Sequence, residues 1–276
     1  MPSTYAHFKL GQEIKEMVPP DEKKVIEEYP ELFLIGLHGP DILFYYRPLT
    51  SNKVNRIGYG MHERAGKEFF EKAAAVAKAH GRDEAYLSYI YGFICHFALD
   101  VTCHGYIDEK IKESGVSHAE IEVEFDRQLM VEDGLDPIHQ KLTGHIKATE
   151  VNAFIIKDFF ESVTDSRVKK ALKGMIFNNK LLLAPSRFKR RIVYALLKLT
   201  GNYKEMHGLI VNYEKNPDCT DSTERLKSLY YVARNRAVTL IEEYADYMEN
   251  STPLNQLYEY TFGTKLPENG DDRDEV

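Results

Sequence analysis

Histidines and carboxylates recur at four-residue spacing within one stretch of this chain, Tyr89 to Asp126. His96, Asp100 and His104 form one set, and His118, Glu122 and Asp126 form a second. On an α-helix a step of four residues advances about 40°, so each set spans roughly 80° and makes one stripe. Phe97, Ala98, Leu99 and Val101 lie between the members of the first set, so that stripe sits on a helix that wants to be buried. Gly115 separates the two stripes. Two such helices can face one another across a core, which is how ligand sets in helical bundles are assembled. The chemistry these residue types offer is metal ligation, because buried carboxylates are rare without a partner.

Other histidines and acids stand in apolar surroundings: His7 after Thr-Tyr-Ala, the pair His38 and Asp41, and His62. Imidazole with carboxylate and no clustered thiols suits Zn²⁺ first, then Mn²⁺ or Fe²⁺. The donors outnumber what one tetrahedral ion needs, so two or three ions are expected. Ions roughly 3.5–4 Å apart recur in enzymes that hydrolyse phosphate esters. A single His-x-x-x-Asp on a helix arises often by chance; the two stripes together do not. Asp126 is expected to accept from a ligand imidazole and orient it. His38 reads equally as an ordinary loop histidine or as a ligand. Cys95 and Cys103 flank the stripe and read as packing groups. His80, His139, His145 and His207 are expected at the surface.

The elements that must position these residues are helical. β-branched alternation never persists long enough for a strand. Helices are expected over 9–17, from Asp21 to Tyr29, from Gly60 to His80 beginning near His62, and from Asp83 to Tyr106. Others are expected over 118–130, 139–144, 149–163, 166–178 and 221–248. Leu32 to Tyr46, interrupted by Gly36, Gly39 and Pro40, reads as a buried loop or bent helix start. Residues 180–206 carry Lys180, Arg187, Lys189, Arg190, Arg191, Lys198 and Lys204 against Glu205 alone. Phe188, Ile192, Ala195, Leu196 and Leu199 share one arc of this stretch, a basic amphipathic helix. It is either a contact with anionic membrane or the solvated face of a bundle helix. The chain is expected to be all-α, a single-domain multi-helix bundle over 1–265 with a metal cluster in its core. An acidic disordered tail over 266–276 follows.

Taken in order and spacing, certain residues resemble the bacterial zinc-dependent phospholipase C family, which is related to the single-strand-specific zinc nucleases. They are His7, the Gly39-Pro40-Asp41 turn, His62, CHFALD at Cys95 to Asp100, His104, and SHAEIEVEFD at Ser117 to Asp126. The resemblance covers about residues 4–126; beyond them only the helical character is shared. It implies a trinuclear zinc site. Asp41, His62, His96 and Asp100 would hold the first ion, and His104, His118 and Glu122 the second. Asp100 would bridge to a third, completed by His7 and the chain's amino terminus. Asp41 would also be the general base for attack of water on a phosphodiester, in line, expelling diacylglycerol or a similar alcohol.

The sequence departs from the secreted members of that family. No signal peptide is expected at its start, and loss of Met1 would then leave Pro2, whose secondary amine is a poor ligand. His38 would then substitute, since it sits three residues before Asp41. The His96, Asp100, His104 spacing is tighter. An early acid and an aromatic after the general base, used for choline, are missing, because Ile42 follows Asp41. Tyr59 is the one substrate-contacting aromatic that still matches, so phosphatidylcholine is not the expected substrate.

Composition narrows the classes further. With 276 residues and 43% apolar content the chain can fill one large core or two modest ones. A net charge of −7 is no nucleic-acid footprint, and three cysteines make no disulfide framework. With no signal peptide and no membrane span in the sequence, a cytoplasmic, membrane-peripheral protein is expected. The expected function is zinc-dependent hydrolysis of a small or phospholipid-type phosphodiester. The alternatives are a zinc nuclease or nucleotide phosphatase on the same scaffold, and a non-catalytic metal or lipid-headgroup binding protein. Absence of Trp for base stacking weighs against nucleic acid.

Overall fold

The computed structural model describes residues 4–264 and Leu266, with the backbone alone at Lys204 and Glu205. The described residues form α1 (Thr4–Lys15), α2 (Pro20–Glu28), α3 (Pro30–Gly36), α4 (Lys53–His62), α5 (Gly66–Ala79) and α6 (Glu84–Ser114). They continue through α7 (His118–Glu132), α8 (Glu150–Ile156), α9 (Asp165–Leu182), α10 (Arg187–Leu199), α11 (Tyr203–Met206) and α12 (Thr220–Asn250). A 3₁₀ turn over Gly39–Tyr45 joins α3 to α4. Extended pairing among the described residues is limited to one bridge, Ala65 to Thr261. The protein is all-α.

Helix α6 is the axis. Its 31 residues are buried on nearly every face, as expected of a helix apolar all round. Asp83 caps it by accepting the Ala85 N–H at 2.8 Å. Helices α3 and α12 pack most extensively along it. Where α3 crosses, a side chain on Gly36 would meet the Tyr89 carbonyl at 2.3 Å, and one on Gly92 the Phe33 carbonyl at 2.2 Å. Only two glycines allow that backbone-to-backbone approach.

Helix α1 is tied to α7. Both carboxylate oxygens of Asp126 accept backbone N–H groups of α1, from Tyr5 at 2.9 Å and Ala6 at 2.7 Å. These are orphan donors of a helix first turn, and a carboxylate also suits the positive end of the helix dipole. The Tyr5 hydroxyl and the Lys9 ammonium both donate to Asp133, each at 2.6 Å. One apolar cluster joins α1 through α9 and α12. A small separate one, Ala184, Val193, Leu197 and Ile210, lies beneath α10.

Several boundaries differ from the sequence reading. Helix α1 starts at Thr4 rather than Lys9, because Asp126 satisfies its first turn. Pro20, not Asp21, opens α2, at the position where a missing N–H loses nothing. Leu32 to Tyr46 is the last five residues of α3 followed by the 3₁₀ turn. The long helix expected over 60–80 is two helices, and His62 ends the first instead of opening it. Asn52 and Asn55 form a reciprocal capping box that starts α4. The interruption is tertiary: Gly66 N–H donates to the Tyr260 carbonyl at 2.9 Å, beside the bridge at Ala65. Helix α6 runs on to Ser114, since nothing in Ile107 to Ser114 breaks it. Residues 139–144 form turns. The 149–163 helix is α8 plus a 3₁₀ turn, Lys157–Phe159. The basic stretch 180–206 is divided among the end of α9, α10 and α11. No helix among the described residues is long and apolar enough to cross a membrane. Apart from Leu266, the acidic tail expected over 266–276 lies outside the described residues, as does the chain's amino terminus.

Candidate metal centre

Five elements deliver the donors to one place. Helix α1 brings His7, the 3₁₀ turn brings Asp41, the end of α4 brings His62, and α6 brings His96, Asp100 and His104. Helix α7 adds His118 and Glu122. Asp41, His96, Asp100, His104, His7 and Glu122 are buried, while His62 and His118 are half-buried.

Three groups of donor atoms lie close enough to hold an ion: Asp41 with His62 and His96, His7 with His96 and Asp100, and His104 with His118 and Glu122. In the first, His62 Nε2 is 3.0 Å from Asp41 Oδ1. Asp100 Oδ2 lies 3.3 Å from His96 Nε2 and 3.7 Å from His62 Nε2. The other oxygen, Asp100 Oδ1, is 3.2 Å from His7 Nε2. In the last group Glu122 Oε1 is 3.0 Å from His118 Nε2 and 3.4 Å from His104 Nε2. Zinc bonds of about 2.0–2.1 Å in a tetrahedron put neighbouring donor atoms roughly 3.3 Å apart. The observed separations scatter around that edge length.

Secondary contacts fix the imidazoles. His62 Nδ1–H donates to the Gly58 carbonyl at 3.0 Å, and His104 Nδ1–H to the Phe262 carbonyl at 3.0 Å. Each leaves Nε2 as the lone pair that faces the carboxylates. Gly39 makes room for His96. A side chain there would fall 2.2 Å from the His96 ring, and its φ of +46° is a conformation that favours glycine.

The charges are balanced within the cluster. Burial opposes ionisation of Asp100, yet His96, His104 and His7 outweigh it and hold the carboxyl well below its usual range. Burial of Asp41 is overcome by His62 and His96, and that of Glu122 by His118 and His104, so both also stay ionised. In return, Asp100 and Glu122 overcome burial and raise His104 to about 9, and Asp41 raises His62 against its burial. His96 is pushed down to about 4, chiefly by burial. Asp41 Oδ1, His62 Nε2 and His96 Nε2 find no hydrogen-bond partner among the described residues. Convergent donors, ionised acids and unpartnered lone pairs together fit a divalent cation.

Some sequence expectations land elsewhere. His38 belongs to none of the three groups; its Nε2 lies 2.7 Å from His145 Nε2. His145, expected at the surface, is half-buried between His38 and Phe8, with ring centroids 5.1 and 4.5 Å away. Asp126 holds the backbone around His7. His207 is half-buried, whereas His80 and His139 are exposed. Cys95 and Cys103 are free, buried thiols pushed up by burial. The carbonyls of Gly58 and Phe262 escaped the sequence reading. The first needed α4 to end at His62; the second is a distant backbone atom that leaves no sequence signal.

A cleft of about 1080 Å³ opens beside His118. Phe44, Leu49, Tyr59, Leu142 and Leu183 line it, together with Lys180 and Lys189. Tyr59 stacks on Phe44 with centroids 4.2 Å apart. Bundle, buried donor groups and adjoining cleft define the class: an all-helical protein with residues at metal-binding distance in its core. The sequence model of the zinc dependent phospholipase C family matches residues 6–174, and the chain belongs to that family. The match carries the resemblance past residue 126 to the middle of α9. No curated protein and no solved structure matches the chain.

Proposed function

We propose that this protein is a zinc-dependent phosphodiesterase of phospholipase C type, acting on a phosphodiester with an apolar alcohol or acyl portion. The observation that carries the proposal is the meeting of His118 with the cleft. The His104, His118, Glu122 group has three protein donors, the number that catalytic zinc sites use while keeping a fourth position for water or substrate. His118 is also part of the cleft wall.

His7, Asp41, His62, His96, Asp100, His104, His118 and Glu122 would hold two or three ions. Zinc bound there supplies Lewis-acid stabilisation of the phosphoryl charge and lowers the pKa of water. The chain's own residues do the rest. Asp41, ionised and with Oδ1 3.0 Å from His62 Nε2, takes a proton from the attacking water at Oδ2 as the new P–O bond forms. The P–O bond to the alcohol breaks, the alkoxide takes a proton from solvent water at the cleft and leaves as the alcohol, and the proton on Asp41 is returned to solvent. Phe44, Leu49, Leu142 and Leu183 exclude water and hold the apolar portion. Tyr59 stands at the mouth, 47% exposed. Lys180 and Lys189 favour an anionic or neutral headgroup over a cationic one, in keeping with the missing choline residues. Action at the cytoplasmic side of a membrane is part of the proposal.

The test is metal content on protein purified without added metal, with hydrolysis of a p-nitrophenyl phosphodiester and of phosphatidylglycerol. Two or three zinc ions per chain and chelator-sensitive release of diacylglycerol are expected. A chain that binds no metal, or that cleaves single-stranded DNA or nucleotides and leaves lipid intact, overturns it.

A further inference from the structure

Helix α10 presents its apolar residues outward. Phe188 is 76% exposed, Ile192 45%, Leu196 49% and Leu199 85%. On a helical wheel these four and Ala195 fall within roughly 100° of one another. Val193 and Leu197, on the opposite side, are the ones that pack inward, onto the small cluster with Ala184 and Ile210. Arg190 also turns inward, donating to the Val211 carbonyl at 2.7 Å with its guanidinium 3.8 Å from the Tyr213 ring. Arg187, Arg191 and Lys198 remain exposed along one edge of the apolar strip. No acidic residue occurs from Lys180 to Leu199, although the chain as a whole carries a net charge of −7.

We infer that α10 is an interfacial helix that docks this protein on an anionic phospholipid surface. An outward apolar strip edged by arginine and lysine is the arrangement that inserts at the boundary of headgroups and acyl chains. Charge complementarity selects the lipid: an acidic protein that concentrates its cations beside one apolar strip fits a negative surface. Position supports the same occupant. Lys180, Leu183, Pro185 and Lys189, which lead into α10 or lie in its first turn, line the cleft. Docking on this face therefore brings the cleft mouth to the bilayer. Helix α10 lies outside residues 6–174, the part matched by the family model, and lipid binding by it does not depend on hydrolysis.

The chain contains no Trp, so a tryptophan placed at Leu199 reports on α10 alone. Full-length Leu199→Trp is mixed with vesicles of phosphatidylcholine, or of phosphatidylcholine with phosphatidylglycerol, at low and high salt. Phe154→Trp on α8 is the control. A blue shift at position 199, with none at 154, is expected for the anionic vesicles, diminished by salt. In sedimentation, Phe188→Ser should lower vesicle partitioning roughly tenfold, and Arg187→Gln with Arg191→Gln roughly tenfold or more. Retained thermal unfolding midpoints show that these variants fold. No shift at 199, equal shifts at both positions, or partitioning indifferent to the substitutions overturns the inference. So does a shift that needs no lipid and grows with protein concentration, which would assign the face to a second copy of the chain.

Discussion

Asp100 reaches two ways: Oδ1 lies 3.2 Å from His7 Nε2, while Oδ2 lies 3.3 Å from His96 Nε2. A carboxylate whose oxygens face different imidazoles is placed to bridge two ions. His7→Ala should then release about one metal equivalent and leave the His104, His118, Glu122 group loaded. His118→Ala should release a different equivalent. Asp100→Asn should disturb both of the ions that it would hold. Metal analysis of the three purified variants checks this pattern. Identical losses in His7→Ala and His118→Ala would mean one indivisible site.

Asp126 holds the first turn of α1, the helix that carries the candidate ligand His7. Asp126→Asn replaces an acceptor facing two N–H groups with an amide that can accept through only one atom. Unfolding free energy should fall by about 1–3 kcal/mol. Zinc affinity at the His7 position should weaken roughly 10- to 100-fold. Denaturant melts and zinc titration measure the two effects, and a variant with unchanged metal affinity would separate α1 from the centre.

Gly39→Ala forces a methyl group against the His96 ring and strains a backbone held at φ +46°. Loss of metal from the Asp41, His62, His96 group is expected, with activity falling at least about 100-fold. Gly60→Ala is the companion variant. It lies in α4 with nothing within 4 Å of the added carbon, so it should stabilise by about 0.5–1 kcal/mol. Equal behaviour of the two variants would remove the steric argument.

The His38 and His145 pair makes stability depend on pH. Burial and then Lys147 push His145 down to about 4 from an ordinary 6.5. Burial, then His145, also holds His38 well below its ordinary value. Between pH 6.5 and about 4 the unfolded chain binds more protons at these positions than the folded one. Stability therefore rises with pH through that window and is lost as the pH falls. Each histidine contributes a slope of up to about 1.4 kcal/mol per pH unit. Wild type compared with His145→Gln, melted at pH 7 and pH 5, should differ in that slope, because the acid sensitivity of the metal ligands is common to both.

Much of the candidate metal centre's geometry was legible because α-helical geometry is local. Four-residue spacing in an apolar context put His96, Asp100 and His104 on one face of α6, and His118 and Glu122 on one face of α7. No other part of the chain was needed to say so. His62 was found but its helix was placed on the wrong side of it, because the interruption before Gly66 is made by pairing with Tyr260 and Thr261. His145 was assigned to the surface because nothing near it in sequence hints at His38. On α10 the amphipathic pattern was plain, yet periodicity cannot say which face the bundle covers.

The sequence by itself determined the all-helical class, the donor types and the two stripes, since these depend on backbone periodicity and side-chain chemistry within a few turns. The tertiary structure decided the remainder. It turned His7 and His96 toward different oxygens of Asp100, set Asp126 on the first turn of α1, and brought the Phe262 carbonyl to His104. It also left the apolar strip of α10 outward. The first three relations join residues distant along the chain, and only the packing of α1, α7 and the segment after α12 around α6 brings them within hydrogen-bonding range.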